Sequence, residues 1–168
     1  NGPATPPDQA AVRARAAAGL PAFQMYYDEK LKVGYKWYDA EKKPVLFPFG
    51  FGLSYTSYKY SGLTVQPGAT TLVSFNVTNS GKTAGTEIAE VYTSLPHAAG
   101  EPPKRLIGWA RVVLDPGESK QVSIPIERDR LGIFDVASKS WAQVPGDYTF
   151  MVGGSSQSLP LHKTITLQ

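Results

Sequence analysis

Three Pro-Gly dipeptides, Pro67-Gly68, Pro116-Gly117 and Pro145-Gly146, each stand just ahead of a short stretch of alternating apolar and polar residues. Such a pair turns the chain, and alternation with period two describes a strand with one buried face. Thr70-Thr71-Leu72-Val73-Ser74-Phe75-Asn76-Val77-Thr78 sends Val73, Phe75 and Val77 to one side and closes at Asn79-Ser80-Gly81. Val122-Ser123-Ile124-Pro125-Ile126-Glu127 alternates again, and Pro125 on its outer phase predicts an edge strand or a bulge. Asp147-Tyr148-Thr149-Phe150-Met151-Val152 follows the third turn, and Leu161, Ile165 and Leu167 share a phase in the last strand. No stretch beyond residue 60 has a helical period, and there is no internal repeat.

The first 56 residues differ. Pro3, Pro6 and Pro7 make an extended lead-in. Asp8 is placed to cap a short helix over residues 9–18, with Gly19 suited to the left-handed position after it and Pro21 blocking continuation. A helix this short and alanine-rich needs a neighbour to persist in water. An aromatic patch, Phe23-Gln24-Met25-Tyr26-Tyr27, and a strand-like Val33-Gly34-Tyr35-Lys36-Trp37-Tyr38 follow. One strand and one short helix cannot close a core. The expected architecture is therefore mainly β: an immunoglobulin or fibronectin type III-like β-sandwich over residues 57–168, preceded by a short α/β segment over residues 1–56 that completes a domain on another polypeptide.

Composition removes several function classes. With 42 % hydrophobic and 11 % aromatic residues the chain can build a modest core. The absence of cysteine excludes disulfides, Cys-ligated zinc and a cysteine nucleophile, though not export. A net charge of +3, spread along the chain without a basic run, predicts no nucleic-acid partner. No apolar stretch approaches the ~20 residues of a membrane span, so no membrane partner is expected. The opening Asn1-Gly2-Pro3-Ala4, without Met, reads as the start of a cleaved or excised segment.

Candidates for chemistry are sparse. His97 and His162 have no second histidine or carboxylate at metal-ligand spacing, so neither a metal nor another cofactor is expected. Ser54, Ser155 and Ser156 lie outside any G-x-S-x-G elbow. Gly50-Phe51-Gly52 lacks the lysine and helix start of a phosphate loop. Among the acids, Asp28 and Glu29 point to opposite faces if extended, while Asp39 and Glu41 read as solvated loop carboxylates. No catalytic residue is assigned. The unusual feature is aromatic: Tyr35, Trp37, Tyr38, Phe47, Phe49, Phe51 and Tyr55 crowd residues 35–55. Phe47, Phe49 and Phe51 alternate and could line one wall, either of a domain seam or of a sugar pocket.

Two of these runs carry a resemblance. Val33-Gly34-Tyr35-Lys36-Trp37-Tyr38-Asp39 and Leu46-Phe47-Pro48-Phe49-Gly50-Phe51-Gly52-Leu53-Ser54-Tyr55-Thr56 resemble the C-terminal end of glycoside hydrolase family 3 enzymes, the β-glucosidases and β-xylosidases. The likeness continues in Val77-Thr78-Asn79-Ser80-Gly81, Pro103-Lys104-Arg105-Leu106-Ile107-Gly108-Trp109, Leu114-Asp115-Pro116-Gly117-Glu118-Ser119, Pro145-Gly146-Asp147-Tyr148 and Val152-Gly153-Gly154-Ser155-Ser156.

The resemblance implies a part of a retaining, exo-acting β-glucosidase. The nucleophilic Asp and the acid/base Glu of the family fall on preceding domains, so the expected partner is a larger N-terminal catalytic fragment, with a β-glucoside bound through it. In this reading Phe47, Phe49 and Phe51 form the domain seam, and Trp37 and Tyr38 lie nearer the sugar as candidate substrate-binding residues. The loop from Pro96 to Pro103 would reach the catalytic domains or a second subunit, which makes a homodimer one expected assembly. A periplasmic or secreted location follows from the family's habits. The competing reading is a free-standing carbohydrate-binding or adhesion module using Tyr58, Tyr60, Trp109 and Trp141.

Overall fold

The computed structural model describes residues 8–20 and 28–168. The proline-rich lead-in and the Phe23 to Tyr27 patch fall outside them. Among the described residues there are nine strands: β1 (Tyr58–Gln66), β2 (Thr70–Asn79), β3 (Gly85–Ser94), β4 (Arg105–Leu114), β5 (Ser119–Glu127), β6 (Gly132–Asp135), β7 (Ser140–Gln143), β8 (Gly146–Gly153) and β9 (Leu161–Leu167). They pair antiparallel as a three-stranded sheet, β1-β2-β5, a four-stranded sheet, β4-β3-β8-β9, and a two-stranded ribbon, β6-β7. Seven strands in two sheets form the sandwich, and the ribbon is an insertion between β5 and β8.

The period-two pattern sets what each sheet buries. Val73, Phe75 and Val77 of β2 and Ile124 and Ile126 of β5 meet Ala89 and Val91 of β3, Leu114 of β4, and Tyr148, Phe150 and Val152 of β8. Pro125 stands on the exposed phase of β5, an edge strand, where its missing N–H takes nothing from the ladder. Leu161, Ile165 and Leu167 pack against this core from β9. The buried Tyr148 hydroxyl lies 2.8 Å from the Val144 carbonyl oxygen and 3.1 Å from that of Leu131, anchoring the start of β8 to the chain just upstream. This is the tyrosine corner of immunoglobulin-like sandwiches.

A buried amide holds one end of the sandwich. The Asn79 side chain donates to the Thr83 and Leu114 carbonyl oxygens at 2.8 and 3.2 Å. Its own oxygen accepts the Thr56 hydroxyl and the Gly81 N–H. Every polar atom of this fully buried side chain is thereby satisfied.

The helix α1 (Gln9–Ala17) begins where Asp8 accepts the Ala10 N–H at 3.1 Å and is followed by Gly19 at φ +65°. The expected strand over residues 33–38 is not formed. Gly34, at φ +58°, reverses the backbone, and Tyr35–Ala40 makes a short helix, α2. The aromatic content of this stretch favours a strand locally, but no free sheet edge receives it. Its side chains are instead fixed by contacts to the four-stranded sheet.

Candidate functional site

The segment from α2 to β1 is built on the outer face of the four-stranded sheet. The Leu106 N–H at the start of β4 donates to the Tyr35 hydroxyl oxygen at 2.7 Å. The Tyr35 ring meets Tyr92 of β3 edge-on, with centroids 5.7 Å apart, and Phe49 at 5.4 Å. Burial pushes the Tyr35 hydroxyl above its ordinary pKa, so it stays protonated. Lys104 Nζ lies 2.7 Å from Asp39 Oδ2, and both side chains are largely buried. This corrects the expectation for Asp39, which is a helical, ion-paired group rather than a solvated loop acid. Glu41 at the end of the helix is exposed and pairs with Lys32 at 2.8 Å. Among the described residues Asp28 and Glu29 enter no ion pair.

Residues 46–56 then cross the sheet as an irregular strap. Its inner side is tied down where the Phe49 carbonyl oxygen accepts the Ser156 N–H at 2.8 Å. Gly50 sits directly against the Glu90 carboxylate of β3. Its outer side is apolar and uncovered: Leu46, Phe47, Leu53 and Tyr55 are 92, 73, 95 and 99 % exposed. The three alternating phenylalanines, all exposed, differ in the ring each one meets. Phe49 turns to Tyr35, while Phe47 and Phe51 stack on each other with centroids 5.3 Å apart. Trp37 and Tyr38 meet edge-on at 5.0 Å on α2, and Lys43 Nζ lies 4.2 Å from the Trp37 ring centre.

The half-buried Glu87 and the buried Glu90 of β3 are both engaged. Tyr60 of β1 donates to Glu87 Oε1, and Tyr92 donates to Glu90 Oε2 at 2.7 Å. Burial raises both carboxyl pKa values, against the effect of these hydroxyl donors. His97 lies in a helical turn (His97–Ala99) and His162 on β9. No group of three metal-ligating side chains exists among the described residues. No helix of the described residues is long and apolar enough to cross a membrane.

The loop after β3 turns back on its own chain. Arg105 pairs with Glu101 at 3.5 Å and donates to the carbonyl oxygens of Arg130 and Gly132, fixing the base of the β6-β7 ribbon. Of the aromatics a free-standing sugar module would use, Tyr60 packs on Phe75 at the core. Trp109 stands exposed on β4, while Trp141 pairs with Phe134 on the ribbon.

Seven antiparallel strands with a tyrosine corner define a fibronectin type III-like sandwich, and residues 87–156 match the fibronectin type III-like domain family. With its strap included, the chain corresponds to a C-terminal portion of the β-glucosidases of glycoside hydrolase family 3. A probable β-glucosidase K of Emericella nidulans is 39 % identical over 148 residues, covering 86 % of this chain and 17 % of the relative. The crystal structure of DesR, a β-glucosidase from Streptomyces venezuelae in complex with D-glucose, superposes with a TM-score of 0.83 at 36 % identity, covering 88 % of this chain and 20 % of that one. The GH3 β-glucosidase of Bifidobacterium adolescentis gives 0.80 at 32 % identity, covering 88 % and 23 %. The chain thus spans about a fifth of the length of the relatives it matches.

Sequence reasoning found the strap through its aromatic density and through the family motif. It missed the roles of Lys104, Glu90, Tyr92 and Ser156, whose partners are distant in the chain. A charged residue between Ile88-Ala89 and Val91-Tyr92 was the available signal for Glu90.

Proposed function

We propose that this chain is the C-terminal, scaffolding part of a retaining exo-acting β-glucosidase that removes terminal β-D-glucosyl residues. Its strap seats the sandwich on a larger N-terminal part that carries both catalytic carboxylates. The observation behind this reading is the two-sided strap. One side is hydrogen-bonded and packed on the sheet, and the other offers Leu46, Phe47, Leu53 and Tyr55 to whatever lies above it. An isolated sandwich gains nothing from exposing four such side chains together, whereas burying them at about 25 cal/mol per Å2 favours association. Retaining hydrolysis requires two carboxyl groups about 5–5.5 Å apart across a sugar. Asp39, Glu87 and Glu90 each have a partner within the chain, so the chemistry is assigned to the larger part.

In this reading residues 1–56 are the tail of the preceding domain and residues 57–168 the sandwich. Trp37 and Tyr38, half-buried and exposed respectively at the N-terminal side of the strap, are the side chains nearest the glucoside. Compartment and assembly belong to the same proposal: a periplasmic or secreted enzyme, with a homodimer as one possible assembly. Purification from the source organism, with intact-mass analysis and a β-glucosidase assay, tests it. A chain about five times this length, or this chain with an equimolar larger one, is expected to carry the activity. A lone 18.2 kDa species that is folded and inactive overturns it.

A further inference from the structure

Glu90 is a carboxylate in an unusual place. Ala89 and Val91 point into the core, so Glu90 and Tyr92 stand on the opposite face of β3, under the strap. Glu90 is only 4 % exposed. Its carboxylate lies against Gly50, where an added Cβ would sit 2.5 Å from both oxygens. That glycine is at φ +83°, so a side chain there would be strained as well as crowded.

The groups around Glu90 do not neutralise it. On its own strand, Tyr92 donates to Oε2, and Glu87 is a second acid whose charge opposes ionisation. Tyr60 on β1 and Tyr35 on α2 both feel its charge and are themselves held protonated. Across the ladder stand Trp109 of β4 and Gly153 of β8, and residues 46–54 of the strap contain no charged side chain. Further out, Asp39 and Arg105 act on Tyr35, but they are paired with Lys104 and Glu101. Among the described residues no ion pair reaches Glu90. Burying a neutral carboxyl costs far less than burying an unpaired charge.

We propose that Glu90 is a pH-dependent latch: with its carboxyl neutral, the strap lies closed on the four-stranded sheet, and ionisation of that carboxyl under Gly50 loosens it. Burial drives the Glu90 carboxyl upward, so the closed form is favoured on the acid side and weakens as pH rises. The latch rests on contacts within this chain and not on the seam reading, so the failure of either leaves the other standing. If both hold, pH regulates how firmly the strap presents its apolar side to the catalytic part.

Hydrogen exchange on the full 168-residue chain from pH 5 to 8, corrected for the intrinsic pH dependence of exchange, tests it. The Ser156 and Phe51 amides, which donate to Phe49 and Pro48, report on the strap, and the Val73 and Phe75 amides report on the core. The strap amides are expected to lose about tenfold in protection for each unit by which the Glu90 pKa is raised, while the core amides hold. Glu90→Gln is expected to abolish this loss. Tyr92→Phe, which removes the donor to the ionised form, is expected to move the carboxyl-carbon NMR titration of Glu90 to higher pH. Strap protection that is flat in the wild type overturns the proposal, as does a parallel loss in the core or an unchanged loss in Glu90→Gln. If Glu90→Gln does not fold, an unmoved titration in Tyr92→Phe overturns it.

Discussion

The Phe49 carbonyl oxygen accepts the Ser156 N–H at 2.8 Å, joining the irregular strap to the turn between β8 and β9. Together with the Tyr35–Leu106 hydrogen bond and the Asp39–Lys104 ion pair, it ties α2 and the strap to the sandwich. Residues 35–50 therefore rest on the sandwich while Leu46 and Phe47 among them stay exposed.

The Asp39–Lys104 pair is shielded enough to matter. Removing one partner strands a largely buried charge, so Asp39→Ala is expected to cost about 3 kcal/mol. Replacing both by apolar residues should cost much less. A double-mutant cycle by urea unfolding measures the coupling, and an additive cycle would show that the pair contributes nothing.

Gly50→Ala combines two penalties. A Cβ at φ +83° is strained, and it would press into the Glu90 carboxylate. A loss of about 1–3 kcal/mol is expected, with faster exchange at Ser156 and no change in the far edge strand β5. Denaturation and hydrogen exchange on the same sample separate the two.

Asn79 satisfies several backbone groups from a buried position, so its truncation leaves the Thr83 and Leu114 carbonyl oxygens and the Gly81 N–H short of a partner. Asn79→Ala is expected to destabilise by at least about 2 kcal/mol. Phe75→Ala, which opens a cavity at the sandwich centre, should cost about 3–5 kcal/mol. Thermal unfolding of the two variants checks this, and Asn79→Asp, which sets a buried carboxylate oxygen against the Thr83 and Leu114 carbonyl oxygens, should be at least as unstable at neutral pH as Asn79→Ala.

Glu87 gives the fold a pH dependence of definite sign. Its carboxyl pKa is raised by burial above the unfolded value of about 4.3. Its contribution to stability is therefore fully present below that value and is lost as pH rises from there through the folded pKa. The half-buried Glu118 and Asp135 carboxyls act oppositely. The Asp115 N–H hydrogen bond, then Lys120, lower the first, and the Ala137 N–H, then Ser138, lower the second. What they contribute is present above the ordinary carboxylate range and lost on acidification. Glu87→Gln keeps an acceptor for Tyr60 and should flatten the loss on the higher-pH side, leaving the variant more stable than wild type at pH 8. Urea midpoints between pH 4 and 8 decide it, and identical profiles would remove Glu87 as the cause.

The sandwich was written locally, in Pro-Gly turns and in apolar residues two apart, because a strand with one buried face needs no knowledge of its partner to show its pattern. Tyr148 and the inward row Val73, Phe75 and Val77 could be placed in this way, and so could the capped helix after Asp8. The strap was legible as an aromatic oddity and as a family motif. Its attachment was not, since which of Phe47, Phe49 and Phe51 meets the sheet depends on Tyr35 and on the turn at Ser156. The stretch over residues 33–38 read as a strand because its residue types prefer one. It became a helix because Gly34 reversed the chain and two distant partners, Leu106 and Lys104, fixed its side chains. Sequence alone thus determined the sheets, whose signal is periodic and short-range. Tertiary structure alone decided the strap, the ion pair and the buried Glu90, because each depends on groups brought together only when residues 28–56 fold across the outer face of β3 and β4.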